Sequence, residues 1–288
     1  MVARRALLHD AEARLREAGV ESPEHDAAIL LAHVLDVPRS RLALIEAVDA
    51  EPAESFGGLV DRRAAREPLQ HLTGVAYFRH VELAVGPGVF VPRPETELLA
   101  GWAIDQLTAP TRLELRDGPA VVVDLCTGSG AIAKAIVDEV PGAEVHAVEL
   151  DEAAHAWAER NLAGTGVDLR LGDFATAFDE LAGRVDVVVS NPPYVPLEAW
   201  ESVAVEAREH DPHLALFSGD DGLDAIRALE ARGAVLVAEG GVIGVEHADV
   251  QGEAAPAVFA ATGRWEEVRD HRDLAGRPRY LTARRARG

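Results

Sequence analysis

Val121-Val122-Val123-Asp124-Leu125-Cys126-Thr127-Gly128-Ser129-Gly130-Ala131-Ile132-Ala133 decides the fold. The run Val121–Val123 is apolar at every position, as a strand covered on both faces must be. Gly128 and Gly130 then let the backbone turn sharply and approach a ligand, and the helix that follows presents unpaired N–H groups. Outward from this unit the pattern predicts helices over 131–140 and 151–162 and strands over 144–148, 167–171 and 185–189. It continues with a helix over 223–232, a strand over 241–245, a helix over 250–262 and short strands over 265–269 and 280–282. Such alternation predicts an α/β fold, a Rossmann-like sheet of seven mostly parallel strands with helices on both faces and right-handed crossovers. Ligands of such sheets lie beyond the C-terminal strand ends where strand order reverses. That rule singles out three loops, at 124–130, 149–150 and 191–194.

The last of these carries the chemistry. Ser190-Asn191-Pro192-Pro193-Tyr194 ends the apolar run Val185–Val189. Asn191 offers a carboxamide with a donor end and an acceptor end, whereas Pro192 and Pro193 lack an N–H and present only carbonyls on a stiff turn. Such a corner suits a planar NH2 group. Its two hydrogens go to the Asn191 side-chain oxygen and the Pro192 carbonyl, and its lone pair faces away, toward an electrophile. Tyr194 would stack on the flat group or border it. A Pro-Pro pair also stops any strand, so the turn by itself has a purely structural reading. In the first loop, Gly128-x-Gly130-x-x-Ala133 satisfies the dinucleotide fingerprint, which keeps an NAD-dependent oxidoreductase in play. Glu149 stands nineteen residues after Gly130, at the end of the second strand, where an acid hydrogen-bonds ribose hydroxyls. A ribose-binding acid and an amine-holding corner beside one crevice point to a nucleoside cofactor whose electrophile meets an NH2 group.

Composition narrows the field. With 288 residues, 48% of them hydrophobic, the chain can bury a substantial core and is expected to form two domains. No window approaches the roughly 20 uninterrupted apolar residues of a spanning helix. Met1-Val2-Ala3-Arg4-Arg5 runs straight into a charged helical pattern without an apolar signal core, so a cytoplasmic protein with no membrane partner is expected. A single cysteine, Cys126, excludes an internal disulfide and a cysteine-based zinc site. A formal net charge of −21 repels phosphate backbones and argues against a nucleic-acid partner. Residues 1–80 hold 10 arginines against 13 acids, so most of the negative charge lies beyond them and this part is the less repulsive face for an acidic partner.

The same N-terminal part has its own texture. Helical periodicity runs over 6–15, 27–35 and 59–69, and Ser22-Pro23-Glu24 reads as a cap followed by proline at the first helical position. From Gly74 the pattern changes to Tyr77-Phe78 and the alternating Val81-Glu82-Leu83-Ala84-Val85, a strand pair. The expected division is a small helical N-terminal domain over 1–73, a β-hairpin linker over 74–92 and a cofactor-binding α/β domain over 93–288.

Val121–Ala133, Glu149, Gly172-Asp173-Phe174 and Asn191-Pro192-Pro193-Tyr194 together resemble the S-adenosylmethionine-dependent class I methyltransferases, and the tetrad narrows this to enzymes that methylate planar amines or amides. Phe90-Val91-Pro92-Arg93-Pro94-Glu95-Thr96-Glu97, preceded by Gly74-Val75-Ala76-Tyr77-Phe78, is similar to the HemK/PrmC family, the peptide chain release factor glutamine N5-methyltransferases. The likeness extends through Asp220-Asp221-Gly222-Leu223 and Glu246-His247 to Arg279-Tyr280, and the Pro-Arg-Pro-Glu-Thr-Glu segment is its specific part. The resemblance implies an enzyme that uses S-adenosyl-L-methionine to methylate the glutamine of the Gly-Gly-Gln loop in a release factor docked by the N-terminal helices. It implies cofactor contacts from Cys126, Thr127, Gly128, Ser129, Gly130, Glu149, Asp173, Phe174 and Asn191, and no metal. It places Asn191, Pro192, Pro193 and Tyr194 at the glutamine, with Asn191, Pro192 and Tyr194 in the catalytic role. An adenine-N6 DNA or RNA methyltransferase would use the same tetrad on a flipped base, but would want a basic channel and more aromatic surface than the 5% here. A noncatalytic binding protein on this fold would have no need of Asn191.

Two positions depart from the family's usual residues. Cys126 stands where many relatives have glycine, and reads as a small space-filler, with a reactive thiol at a helix N-terminus as the alternative. Phe174 stands where many have tryptophan, keeping an aromatic face for adenine but losing the indole donor. Glu246-His247 with Asp249 reads as a strand-end pair with a local hydrogen bond rather than a metal cluster. His213 reads as a turn residue, solvated or beside the substrate entrance. Arg93 and Glu95 read either as a lid ion pair over the cofactor or as a tie between linker and catalytic domain. An amide nitrogen is a poor nucleophile, so placement and hydrogen bonds from Asn191 and the Pro192 carbonyl carry the expected catalysis without a dedicated general base.

Overall fold

The computed structural model of the chain describes residues 1–108, 118–202 and 205–288, which fall into two compact units. The first comprises Met1–Val75, Val85–Pro87 and the helix Val205–His210, and the second holds Ala76–Ala84 and, from Gly88 onward, the other described residues.

In the first unit β1 (Val2–Ala3) pairs antiparallel with β2 (Ala47–Val48), and α1 (Arg4–Glu17), α2 (Pro23–Val34) and α3 (Ala50–Ala64) enclose Leu15, Leu30, Leu31, Phe56 and Val60. The periodicity over 59–69 runs together the end of α3 and the start of α4 (Leu69–Thr73). Arg66, in the left-handed region at φ 67, and Pro68, which has no N–H to give, separate the two helices. Arg63 is buried, donating to Asp26 Oδ2 at 2.8 Å and to Glu206 Oε1 at 3.2 Å. Arg66 holds the same Glu206 through Nε and Nη2, both at 2.8 Å. Two guanidinium groups on one carboxylate give the short helix Val205–His210 its anchor in this unit.

β3 (Val75–Phe78), which lies in the second unit from Ala76 on, and β4 (Val81–Ala84) form a two-stranded sheet. The main sheet contains β5 (Val121–Leu125), β6 (Glu144–Glu149), β7 (Asp168–Leu171), β8 (Val185–Ser190), β9 (Val237–Glu246), β10 (Trp265–Arg272) and β11 (Pro278–Arg285). Their order is β10-β11-β9-β8-β5-β6-β7. β7, β6, β5, β8 and β9 are parallel, and β11 runs antiparallel between β9 and β10. Strand order therefore reverses between β5 and β8, so the loops expected to carry the site converge at one end. The helices are α5 (Thr96–Thr108), α6 (Ala131–Glu139), α7 (Glu152–Leu162), α8 (Val205–His210, in the first unit), α9 (Asp224–Leu236) and α10 (Ala254–Ala260).

Both sheet faces are covered. Val121, Val123 and Leu125 of β5 share one core with Ile226 and Leu229 of α9 and Phe259 of α10. On β9, Ile243 and Val245 join that core, while Gly244 between them faces α5, where a Cβ would lie 2.4 Å from the Trp102 ring. β9 is longer than its expected span because it begins at Val237, directly after α9. Gly240-Gly241 carry it through an irregularity where a Cβ on Gly241 would meet the carbonyls of Ala238 and Val185 at 2.9 and 3.0 Å. The expected linker is pinned rather than loose over Ala76–Ala84. Asn161 of α7 clamps both the N–H and the carbonyl of Ala84, at 2.8 and 2.9 Å, and also donates to the Ser129 carbonyl at 2.9 Å.

The turn after β8 is braced from behind. Tyr194 and Val195 both donate N–H to the Leu216 carbonyl, at 3.1 and 2.8 Å. Gln251, buried beneath them, donates Nε2 to the carbonyls of Tyr194 at 3.0 Å and Gly222 at 3.2 Å, and its Oε1 accepts from the Ala248 N–H at 2.9 Å. Gly222 sits at φ +73, and a Cβ there would stand 2.4 Å from the Tyr194 carbonyl oxygen. Gly222→Ala should therefore push the Asn191–Tyr194 corner out of place and lower stability by about 2 kcal/mol, read as a lowered urea midpoint. Glu206→Ala leaves Arg66 without its carboxylate partner and should cost the first unit about 2 kcal/mol by the same titration. An unchanged midpoint in either variant would contradict the packing that generates the expectation.

Candidate active site

A cleft open to solvent lies at the C-terminal ends of β5, β6 and β8, with Phe90, Cys126, Glu149, Phe174, Asn191 and Pro193 in its wall. Leu150, Asp151 and Ala154 continue the wall after β6, and Pro212, Leu214 and Ala215 complete it. Cys126, Gly128 and Gly130 all take positive φ, at 65°, 57° and 83°, and so turn the chain from β5 into α6 within five residues. At Gly128 a Cβ would meet open space, whereas at Gly130 it would press on Leu162 at 3.0 Å. The loop's own side chains support it from within. Thr127 Oγ1 donates to the buried Asp124 Oδ2 at 2.6 Å, the Ala133 N–H reaches the same oxygen at 3.2 Å, and Ser129 is buried. Burial pushes the Asp124 carboxyl up to about 7, with Thr127 and Ala133 opposing. Thr127, Ser129 and the two glycines thus shape the loop, and Cys126 is the member whose side chain reaches the cleft. Its left-handed φ explains why glycine suits this position. Burial raises the thiol's pKa and the neighbouring Glu149 charge adds to it.

Glu149 is fixed by backbone alone. Its Oε2 accepts from the Gly128 N–H at 2.8 Å, and its Oε1 from the N–H groups of Leu150 and Asp151, each at 2.9 Å. Burial raises its pKa against these three donors. One acceptor position remains on Oε2 for a ligand hydroxyl. Phe174 lines the cleft and packs partly on the sheet core. Asp173 points to solvent, its Oδ1 capping the next turn through the Ala175 N–H at 2.8 Å. It stands beside the cleft wall rather than in it.

At the other end Asn191 is held by residues far from it in sequence. Its Nδ2 donates to Thr96 Oγ1 at 3.2 Å, Thr96 Oγ1 donates to Glu246 Oε2 at 2.7 Å, and the Tyr194 hydroxyl donates to Glu246 Oε1 at 3.3 Å. Thr96 and Glu246 are buried, and burial pushes the Glu246 carboxyl up to about 7 despite Thr96, Tyr194 and the Arg279 charge. Pro192 is buried and Pro193 lines the cleft. Tyr194 turns its hydroxyl inward to Glu246, and burial raises its pKa. The strand-end pair of Glu246 and His247 is likewise not a local one. Glu246 faces Thr96 and Tyr194, while His247 places Nε2 3.1 Å from Asp270 and Nδ1 2.8 Å from the Ala248 carbonyl. Among the described residues no three His, Cys, Asp or Glu side chains stand together as a metal site.

Arg93 and Glu95 do not pair with each other. Arg93 donates to Asp211 Oδ2 at 3.0 Å and lies over the Phe90 ring at 4.9 Å, while Glu95 faces Arg277 at 3.9 Å. Burial lifts the Asp211 carboxyl to about 6, with Arg93 opposing. Arg93 thereby ties the stretch before α5 to the start of the wall formed by residues 212–215. His213 is exposed in that wall, its ring edge against Phe217 at 5.8 Å. Thr96, Glu246, Gln251 and Gly222 support the Asn191–Tyr194 corner and were not assigned by motif reading. Each sits inside a quoted segment or next to one, but no spacing rule connects position 96 to 246 or 222 to 194.

The cleft therefore joins two chemistries. A backbone-fixed carboxylate and an aromatic face suit a ribose and its base, and a corner of acceptors suits a planar NH2 group. The chain matches the PrmC N-terminal domain family over residues 6–74 and the methyltransferase small domain family over residues 109–210. The release factor glutamine methyltransferase of Streptomyces coelicolor is 56% identical to it over 95% of this chain and 95% of its own length. That of Mycolicibacterium smegmatis is 45% identical over 98% and 97%. The 4-amino-L-phenylalanine/4-methylamino-L-phenylalanine methyltransferase of Streptomyces pristinaespiralis is 43% identical over 91% and 88%. The chain belongs to the family of release factor glutamine methyltransferases.

Proposed function

We propose that this protein methylates the side-chain amide nitrogen of a glutamine, the one in the Gly-Gly-Gln loop of a peptide chain release factor, with S-adenosyl-L-methionine as methyl donor. The observation that carries the reading is the Asn191 carboxamide, held at the rim of a cleft whose far end is the backbone-fixed Glu149. The residues present fit the donor. Glu149 keeps an acceptor site for a ribose hydroxyl, Phe174 and Leu150 offer apolar faces for adenine, and Gly128 leaves open space at the turn. The buried Asp124 Oδ1, which has no hydrogen-bond partner among the described residues, suits the ammonium end of an amino acid. When bound, S-adenosyl-L-methionine supplies a methyl group made electrophilic by its sulfonium.

The protein's part is placement. Asn191 Oδ1 and the Pro192 carbonyl accept the two amide hydrogens, which draws electron density back onto nitrogen and turns its lone pair away from the corner. Pro193 and Phe90 help exclude water from the reacting face. The amide proton becomes acidic once nitrogen carries the methyl group, so solvent can take it without a dedicated base. The helical first unit, which carries the PrmC N-terminal match, docks the release factor. Such a substrate places the enzyme in the cytoplasm and away from nucleic acid as a partner, in keeping with its net charge of −21. No helix among the described residues is long and apolar enough to cross a membrane.

Incubation with methyl-labelled S-adenosyl-L-methionine should label a release factor and leave its glutamine-substituted variant, duplex DNA and 4-amino-L-phenylalanine unlabelled. Label on DNA or on the free amino acid with none on the release factor would overturn the reading. Asn191→Ala should lower kcat/KM by about 100-fold or more while circular dichroism stays unchanged. Phe174→Ala should weaken S-adenosylhomocysteine binding by about 10-fold in calorimetry; undiminished affinity would remove Phe174 from the cofactor site.

A further inference from the structure

Asn191 serves an amide substrate in only one of its two orientations. Turning the carboxamide by half a revolution exchanges Oδ1 and Nδ2 with almost no change in shape, and the flipped form would set donors against the two N–H groups of the substrate. Packing cannot choose between the two forms, but hydrogen bonding can. Asn191 Nδ2 lies 3.2 Å from Thr96 Oγ1, and Thr96 Oγ1 lies 2.7 Å from Glu246 Oε2. Thr96 has one hydroxyl proton, and an ionised Glu246 has none to offer. Thr96 must therefore donate to Glu246, which leaves only lone pairs toward Asn191, and Asn191 must answer with Nδ2. Its Oδ1 is then the end left for the cleft.

We propose that Thr96 and Glu246 form a relay that fixes the polarity of the Asn191 carboxamide, which makes both of them positioning residues for amide methylation. The inference rests on the function proposed above. The surroundings of Glu246 maintain its acceptor role. The Tyr194 hydroxyl donates to its second oxygen at 3.3 Å, Arg279 of β11 supports its charge, and Glu95 from the stretch before α5 opposes it. Arg93, on the same stretch, is engaged by Asp211, and His247, next along β9, turns to Asp270. The relay is also sensitive to pH, with a definite sign. Burial lifts the Glu246 carboxyl to about 7, so the group is ionised above that pH and protonated below it. Once protonated, Glu246 can donate to Thr96, whose own proton then points to Asn191 and turns the amino end toward the cleft. Activity on an amide acceptor should rise as pH increases through about 7 and level off above.

The test uses the full chain with release factor as acceptor. Thr96→Val keeps the shape and removes the hydroxyl, and should lower kcat/KM by about 10- to 100-fold while S-adenosylhomocysteine affinity changes by less than about 2-fold. Thr96→Ser restores the hydroxyl, and should return kcat/KM to within about 3-fold of the parent. The acidic limb of the pH profile should flatten in both Thr96→Val and Glu246→Gln, an effect that a merely structural role for Thr96 would not produce. A Thr96→Val enzyme with parental kcat/KM, one that keeps the acidic limb at an unchanged midpoint, or a folded Thr96→Ser enzyme as slow as Thr96→Val would overturn the relay. The underlying reading fails separately, by Asn191→Ala retaining parental kcat/KM.

Discussion

The active end of this molecule depends on one buried carboxylate. Glu246, at the last position of β9, is almost fully removed from water, and a charge there is unfavourable by several kcal/mol unless other groups replace its hydration. Thr96 and Tyr194 supply the replacement by hydrogen bonds, and Arg279 supplies a countercharge. Each of these comes from a different part of the chain. Satisfying one carboxylate therefore draws together the stretch that opens α5, the turn after β8 and the strand β11, and Asn191 is fixed as a consequence.

The two ends of the cleft are built on different physical terms. The end at β5 and β6 is made of backbone. Three positive-φ residues shape the turn, and three N–H groups hold Glu149. Such a site depends on backbone conformation more than on side-chain identity, which is why a cysteine stands at position 126 without disturbing the Glu149 contacts. The end at β8 is made of side chains meeting across long sequence separations. Under the proposed relay a single hydroxyl matters there: removing that of Thr96 would leave the shape nearly intact and cut the hydrogen-bond chain from Asn191 to Glu246.

That contrast also governs how much was legible in the sequence. The glycine loop, Glu149 and the Asn191-Pro192-Pro193-Tyr194 corner were readable because each is a local pattern at a strand end, and the alternation of elements was enough to bring those ends together. The helix break at Arg66–Pro68 was blurred because apolar spacing continues across it while the backbone does not. β9 extends before its expected start at Gly241 because the chain passes there through a sheet irregularity where a Cβ on Gly241 would collide with neighbouring carbonyls. The inward turn of Tyr194, the pairing of Arg93 with Asp211 and the brace of Gly222 and Gln251 behind the corner belong to another category. They join residues with no periodic relation, so only the folded chain displays them.

A corner of acceptors also sets a limit on what it can recognise. In the proposed reading Asn191 Oδ1 and a proline carbonyl meet two hydrogens on a flat nitrogen, and nothing in that pair distinguishes an amide from an aromatic amine. Discrimination between such acceptors must lie in what surrounds the nitrogen. A free small molecule meets only the cleft, whereas a protein acceptor also meets surface beyond it. The first 80 residues carry 10 arginines against 13 acids in a chain whose net charge is −21, so this region repels an acidic protein least. On the proposed function, chemical selectivity for NH2 and selectivity for one protein partner lie in different parts of the chain, and a substitution in the helical unit would change the second without touching the first.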